Sequence, residues 1–210
     1  MANKRDIRRD IKQLQKIKTW QLLILLVIFG LLAATFLRLN NIGMIERRTA
    51  VLQADKTGDA TSLQNNLYAL QRYSTAHMNA ASGIIYLNHS YQRDSQKAID
   101  DAKNTSNVAV KDVLDKADAA CKAQYAGNWM AYVQCNAAEQ AKYAGSNTLQ
   151  ASVKFPNADL YKQEFISPMW SPDFAGWSLV ICAAITGVIL LRLLSLAILQ
   201  LLLRQRFNSI

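Results

Sequence analysis

WQLLILLVIFGLLAATFL, Trp20–Leu37, is the stretch on which the fold turns. It is an 18-residue run without a charge, flanked by Lys18 and Arg38. As an α-helix it spans roughly 27 Å, close to the hydrocarbon thickness of a bilayer. A second run, AGWSLVICAAITGVILL, covers Ala175–Leu191 and meets Arg192, after which LLSLAILQLLL stays apolar to Leu203. Two such runs predict two transmembrane helices, 20–37 and 175–191. The first is longer than the apolar core of a signal peptide, and no clean small-x-small site precedes Arg38.

The chain has 210 residues and a formal net charge of +9, and that charge is unevenly placed. Residues 1–19 hold seven Lys/Arg against Asp6 and Asp10, and residues 192–210 hold Arg192, Arg204 and Arg206 with no acid. The middle, 39–174, has thirteen basic and thirteen acidic residues. Excess positive charge on one side of the membrane is the positive-inside pattern. It predicts a two-pass protein of the cell membrane, with both termini cytoplasmic and residues 38–174 extracytoplasmic. Lys18, Trp20 and Arg192 at one face, and Arg38, Trp170 and Trp177 at the other, are the expected membrane-interface anchors. Attraction to anionic headgroups accounts for the basic N-terminus without nucleic acid as a partner.

The predicted organisation is a basic cytoplasmic N-terminus (1–19), a first span (20–37), an extracytoplasmic helical domain (38–174), a second span (175–191), and a cytoplasmic or interfacial amphipathic tail (192–210). Ile42, Ile45, Thr49 and Leu52 recur at helical spacing and extend the first helix to a break at Lys56–Asp59. Asp59, Thr61 or Ser62 is the expected cap of a helix carrying Leu63, Leu67, Leu70 and Ser74 on one face. Residues 79–83 read as a kink or turn. Helical pattern resumes through IIYLNHSYQRDSQKAIDDAKN and ends at the breaker cluster 104–107. Val110, Val113, Ala117 and Cys121 stripe the next helix, Gly127-Asn128 turns the chain, and WMAYVQCNAAEQAKYA forms another. Residues 145–158 read as loop, and LYKQEFI as a further turn or two of helix. Several amphipathic helices bury their stripes together, so the fold class is an all-α membrane protein, two transmembrane helices flanking an antiparallel helical bundle.

Cys121 and Cys135 are fourteen positions apart. On one straight helix they would lie about 21 Å apart. A turn at Gly127-Asn128 brings them together, and the predicted oxidising compartment favours a disulfide stapling the hairpin. Cys182, inside the second span, serves as a small apolar residue. Asn88 and Asn104 each head a glycosylation sequon.

No phosphate loop, dinucleotide fingerprint, HExxH, nucleophile elbow or CxxC occurs in the sequence. His77 and His89 do not share a helix face. The acids at 100, 101, 112, 115 and 118 are interleaved with lysines, which is the pattern of a solvated surface. No metal site, no cofactor and no enzymatic activity are therefore expected. Tyr125, Trp129, Tyr132 and Tyr143 gather around the proposed hairpin turn. Such residues fill cores or anchor interfaces, and they are the candidate interface.

The layout resembles the sensory half of bacterial chemoreceptors and sensor kinases, but no kinase, cyclase or signalling coiled coil follows the second span. The expected function is a membrane-anchored accessory or scaffold subunit of a cell-envelope complex. It would act through contacts with a membrane or envelope protein, or with further copies of itself. The alternative is an extracytoplasmic subunit that senses a small molecule or peptide and signals through a separate partner.

Overall fold

The computed structural model describes residues 18–106, 108–125, 127–143 and 153–207, the side chains of 143 and 202–207 excepted. Its elements are α1 (Thr19–Thr57), α2 (Ala60–Ala76), β1 (Gly83–Tyr86), α3 (Asn88–Thr105), α4 (Val108–Gln124), α5 (Trp129–Tyr143), a 3-10 turn (Ala158–Tyr161), β2 (Lys162–Phe165) and α6 (Phe174–Phe207). They form an all-α bundle with one small sheet. The chain divides into two compact units. Met1–Gly43, Ala76–Ala80 and Ser167–Ile210 make the first, and Met44–Thr75 and Ala81–Ile166 the second.

In the first unit, α1 and α6 are long and apolar enough to cross a bilayer, and little of either apolar stretch is buried. Most of the burial there is falls on one line along each helix. On α1 the covered positions include Thr19, Leu22, Leu26, Phe29, Ala33, Phe36 and Asn40. On α6 they include Ala175, Ser178, Cys182, Ile185, Ile189, Arg192, Leu196 and Leu199. Alternating steps of three and four are the seam of two helices crossing at a shallow angle. The rings of Phe36 and Phe174 stack at 5.3 Å, and Asn40 Nδ2 donates to Asp173 Oδ2 at 2.9 Å. These contacts set an antiparallel register in which facing residue numbers add to 210 and 213. Ala33 then falls level with Ser178, Leu22 with Ile189, and Thr19 with Arg192.

The second unit is built on helix hairpins. α1 stops at Thr57 before Gly58, as the sequence predicts, and Asp59 caps α2 by accepting from the N–H groups of Thr61 and Ser62. Leu70 and Ser74 of the predicted α2 stripe are buried, as are Val51 and Ala54 of α1. The recurring Ile42, Ile45, Thr49 and Leu52 stripe stays exposed, so the apolar positions of α1 that pack are not the ones whose spacing is most regular. α4 and α5 pack as a hairpin around Gly127, whose φ of +102° is a conformation that favours glycine. The disulfide Cys121–Cys135 closes that hairpin with its Cα atoms 5.8 Å apart. The main core joins Tyr91, Ile99 and Ala102 of α3, Leu114 and Cys121 of α4, Tyr132 and Val133 of α5, and Val153.

Two predicted helical stretches are strands instead. Gly83–Tyr86, expected to begin a helix, pairs antiparallel with Lys162–Phe165, with Gly83 opposite Phe165 and Tyr86 opposite Lys162. The LYKQEFI segment is thus a 3-10 turn leading into a strand. Ile-Ile-Tyr is a β-favouring run, and the partner strand 80 residues away supplies its hydrogen bonds. α3 begins only at Asn88. α6 runs unbroken through Arg192 to Phe207.

Candidate functional site

Three places in the structure concentrate polar or aromatic side chains: a collar at one end of the apolar helix pair, a cationic level near the other, and a polar ladder inside the second unit.

The collar is made from three distant stretches of chain. Asn40 donates to Asp173 and to the Met78 carbonyl, and Asn79 Nδ2 donates to the Leu37 carbonyl at 3.1 Å. The Met78 N–H donates to Ser171 Oγ at 3.0 Å. Asp173 accepts from the Gly176 N–H at 2.9 Å and so caps α6, where a carboxylate also meets the positive end of the helix. Burial raises the Asp173 pKa, but the bonds from Gly176 and Asn40 outweigh it and hold the carboxyl below its ordinary value. Gly176 is required here because a Cβ would fall on the Ser171 carbonyl oxygen. Trp170 and Trp177 meet edge to face at 6.1 Å, half-exposed, beside the fully exposed Met169. Of the residues expected as anchors at this end, Trp170 and Trp177 touch, and Arg38 is exposed on α1.

The cationic level holds Lys18 and Trp20, both exposed, and Arg192. Lys18 precedes α1, and its N–H donates to Gln21 Oε1. Arg192 is on the seam, with only 9% of its surface accessible, and its Nε has no acceptor among the described residues. From the collar to this level is roughly 30 Å along either helix, by helical rise.

The ladder runs through α3, α4 and α5. Lys103 Nζ bridges Asp115 at 2.8 Å and Asp118 at 3.3 Å. Tyr132 OH donates to Asp118, Asn136 Nδ2 donates to Tyr132 OH, and Gln140 Nε2 donates to Asn136 Oδ1. Tyr132, Asn136 and Gln140 are all buried. Burial pushes the Tyr132 pKa up, and its bond to Asp118 pushes it further. Burial works against ionised Asp118, yet the Tyr132 and Lys103 bonds hold its pKa below the ordinary value. Burial likewise works against charged Lys103, and its two aspartates still raise its pKa. These directions keep each group in its usual charge state at neutral pH, the opposite of the tuning an acid–base catalyst needs. A satisfied buried network of this kind fixes helix register.

Of the candidate interface residues, Tyr132 is interior, and Trp129 lies against it with ring centroids 4.4 Å apart. Tyr125 is half-buried against the same core. Tyr143 ends α5, and its side chain lies outside the described residues. Three of the four therefore pack around the α4–α5 hairpin, as its proximity in sequence suggested.

A residue that sequence reading missed is Asp55. It is buried at the end of α1 and accepts from the N–H groups of His89 and Ser90 and from Ser90 Oγ, at 3.0, 2.8 and 2.6 Å. It thereby caps α3 from 34 residues away. Arg93 donates to the Asp55 carbonyl at 2.8 Å. Beside it opens a shallow cleft of about 300 Å³, bounded by Thr49, Gln53, Lys56, Tyr86 and His89. The positive end of α3 is already filled by the Asp55 carboxylate. Among the described residues, no group of three or more His, Cys, Asp or Glu side chains is placed to hold a metal ion.

No protein-family model matches the chain, and no curated protein or solved structure is significantly similar to it.

Proposed function

We propose that this chain is a two-pass, non-catalytic membrane subunit that holds partner proteins, with its termini cytoplasmic and its helical domain outside. The observation that carries the membrane part is the spacing of polar levels on the α1–α6 pair. A polar collar around Asn40 and Asp173 and a cationic level at Lys18 and Arg192 stand roughly 30 Å apart, the thickness of a hydrocarbon core. The faces between them are apolar and exposed: Leu23, Val27 and Leu31 on α1, Val180 and Val188 on α6. Tryptophans border both levels, where interfacial rings belong. The orientation rests on the excess of basic residues at both termini.

The partner-holding part rests on α6 beyond Arg192. Leu193, Leu194, Ile198 and Leu201 remain at least half exposed there, past the level at which the charge of Arg192 marks the bilayer surface. An apolar ridge of this kind needs an apolar cover, and another protein's helix supplies one. The second reading, a sensing subunit, is favoured by the cleft beside Asp55, whose polar rim suits a small molecule.

Crosslinking the chain in its native membrane, gentle detergent purification and mass spectrometry test the choice. A stoichiometric second protein is the expected result. Recovery of this chain alone, or only with itself, refutes the partner-holding reading and turns attention to ligands of the cleft.

A further inference from the structure

Arg192 is the one described residue of the apolar seam that carries a charge. Seam residues on either side of it, Ile189 and Leu196, are apolar, and Thr19 is the residue level with it. The residue as a whole is nine-tenths buried, its Nε is sealed without an acceptor, and no ion pair or hydrogen bond to its side chain exists among the described residues. Leaving a buried charge unpaired is costly, and a fixed planar fork of donors is suited to an oxyanion. Its depth identifies which oxyanion. Roughly 30 Å from the collar, at the level of Lys18 and Trp20, it lies where lipid phosphates lie, not at mid-membrane. The next charge along α6 is Arg204, and the charge just ahead of α1 is Lys18, both cationic.

We infer that Arg192, with Lys18, forms a binding site for the phosphate of an anionic phospholipid in the cytoplasmic leaflet. This rests on the two-pass reading above. The headgroup phosphate docks on the guanidinium at the end of the seam, and Lys18 offers a second cation from the start of α1. The acyl chains follow the exposed apolar faces of the two helices. A lipid held this way completes a seam in which the described residues leave a charge uncompensated. It also makes the cytoplasmic end of the helix pair sensitive to the anionic lipid content of its membrane.

The test uses the full chain with Trp20 as the sole tryptophan, Trp129, Trp170 and Trp177 being replaced by Phe. It is reconstituted in vesicles of phosphatidylcholine and phosphatidylglycerol in which one lipid at a time is brominated. Quenching of Trp20 by each brominated lipid gives the relative affinity for the two headgroups. In 1 M KCl, where the screening length is about 3 Å, general attraction by the basic termini is suppressed while a desolvated pair persists. The expected preference for phosphatidylglycerol is about fivefold, falling to none in Arg192→Gln and to an intermediate value in Arg192→Lys. Far-UV circular dichroism checks that each variant keeps its helices. An equal preference in Arg192→Gln overturns the site. So does the absence of any preference in the parent, which leaves a carboxylate from a partner helix as the remaining candidate. Trp20 that no brominated lipid quenches, phosphatidylcholine included, refutes the two-pass reading itself, so the two failures are distinguishable.

Discussion

Replacing Asp55 isolates the contact that ties the end of α1 to the start of α3. Its carboxylate accepts three hydrogen bonds, two from the first N–H groups of α3 and one from Ser90 Oγ. Asp55→Ala removes both acceptor oxygens, and with them all three bonds, at a buried position. Losing a helix cap costs about 1 kcal/mol, and each buried donor left without a partner adds about 1–3 kcal/mol. His89 borders the cleft, so water can reach its N–H and lower that part of the cost. The net expectation is about 3 kcal/mol for Asp55→Ala. Asp55→Asn keeps one acceptor oxygen at the same volume. It loses the charge facing the helix terminus and presents an amide donor that Ser90 Oγ is able to accept, so about 1–2 kcal/mol is expected. The assay is equilibrium urea unfolding of the full chain in a mild detergent, followed by near-UV circular dichroism. A loss below about 1 kcal/mol in Asp55→Ala would show that the cap is dispensable. Equal losses in the two variants would refute the assignment of the effect to acceptor count.

Two further predictions concern the α3–α5 core. Closing the 14-residue separation between Cys121 and Cys135 is worth about 3 kcal/mol in chain entropy, so the Cys121→Ser/Cys135→Ser chain should unfold at correspondingly lower urea, and the parent's midpoint should drop to match it under reductant. Tyr91, Tyr132 and Tyr161 have raised pKa values, Tyr161 to about 12, first through burial and for Tyr161 then through its bond to Asp94. Groups raised in the folded state contribute stability that is intact below their unfolded value near 10 and lost as pH climbs through the folded one. Asp118, lowered, contributes stability that is intact above its unfolded value near 4 and lost as pH falls through the folded one. Tyrosinate absorbance should therefore rise in two phases, with part of the late phase absent in Tyr161→Phe. Urea stability should fall off above about pH 10 and below about pH 4, the acid limb weakening in Asp118→Asn. A single-phase titration near pH 10 would contradict the buried placement of these rings.

What the sequence made legible was local. The apolar runs, the break at Lys56–Asp59, the Asp59 cap and the α4–α5 hairpin each follow from a few adjacent residues, and the disulfide follows from the hairpin. Asp173, three positions before Gly176 and directly ahead of an apolar run, carried a readable cap signature as well. The misread pieces depend on distant chain. Gly83–Tyr86 is a strand because Lys162–Phe165 lies beside it, and nothing within either tetrapeptide names its partner. Asp55 carries no local signal of its role, which appears only with α3 placed over it. The ladder shows the same limit. Asp115 and Asp118 sit in a pattern of alternating charge that reads as solvated, and it is Tyr132 from the next helix that makes Asp118 part of the core.

The seam and the exposed faces of α1 and α6 bear differently on partnership. The seam alternates three and four on both helices in one antiparallel register, so from the collar to Ile189 the two helices cover each other along that line. Any partner in the membrane must therefore meet the outward faces. Those faces carry no polar stripe: Thr35 and Thr186 each turn their hydroxyl back to a carbonyl of their own helix, Leu31 and Cys182. Recognition there depends on apolar packing alone, which discriminates poorly between lipid and a helix partner. Beyond Arg192 the balance changes. On the two-pass reading proposed above, Leu193, Leu194, Ile198 and Leu201 would lie past the phosphate level, where lipid tails no longer compete and only apolar protein surface removes them from water. Specific assembly should concentrate on that end of α6, and the outward faces inside the bilayer should tolerate substitution among large apolar residues.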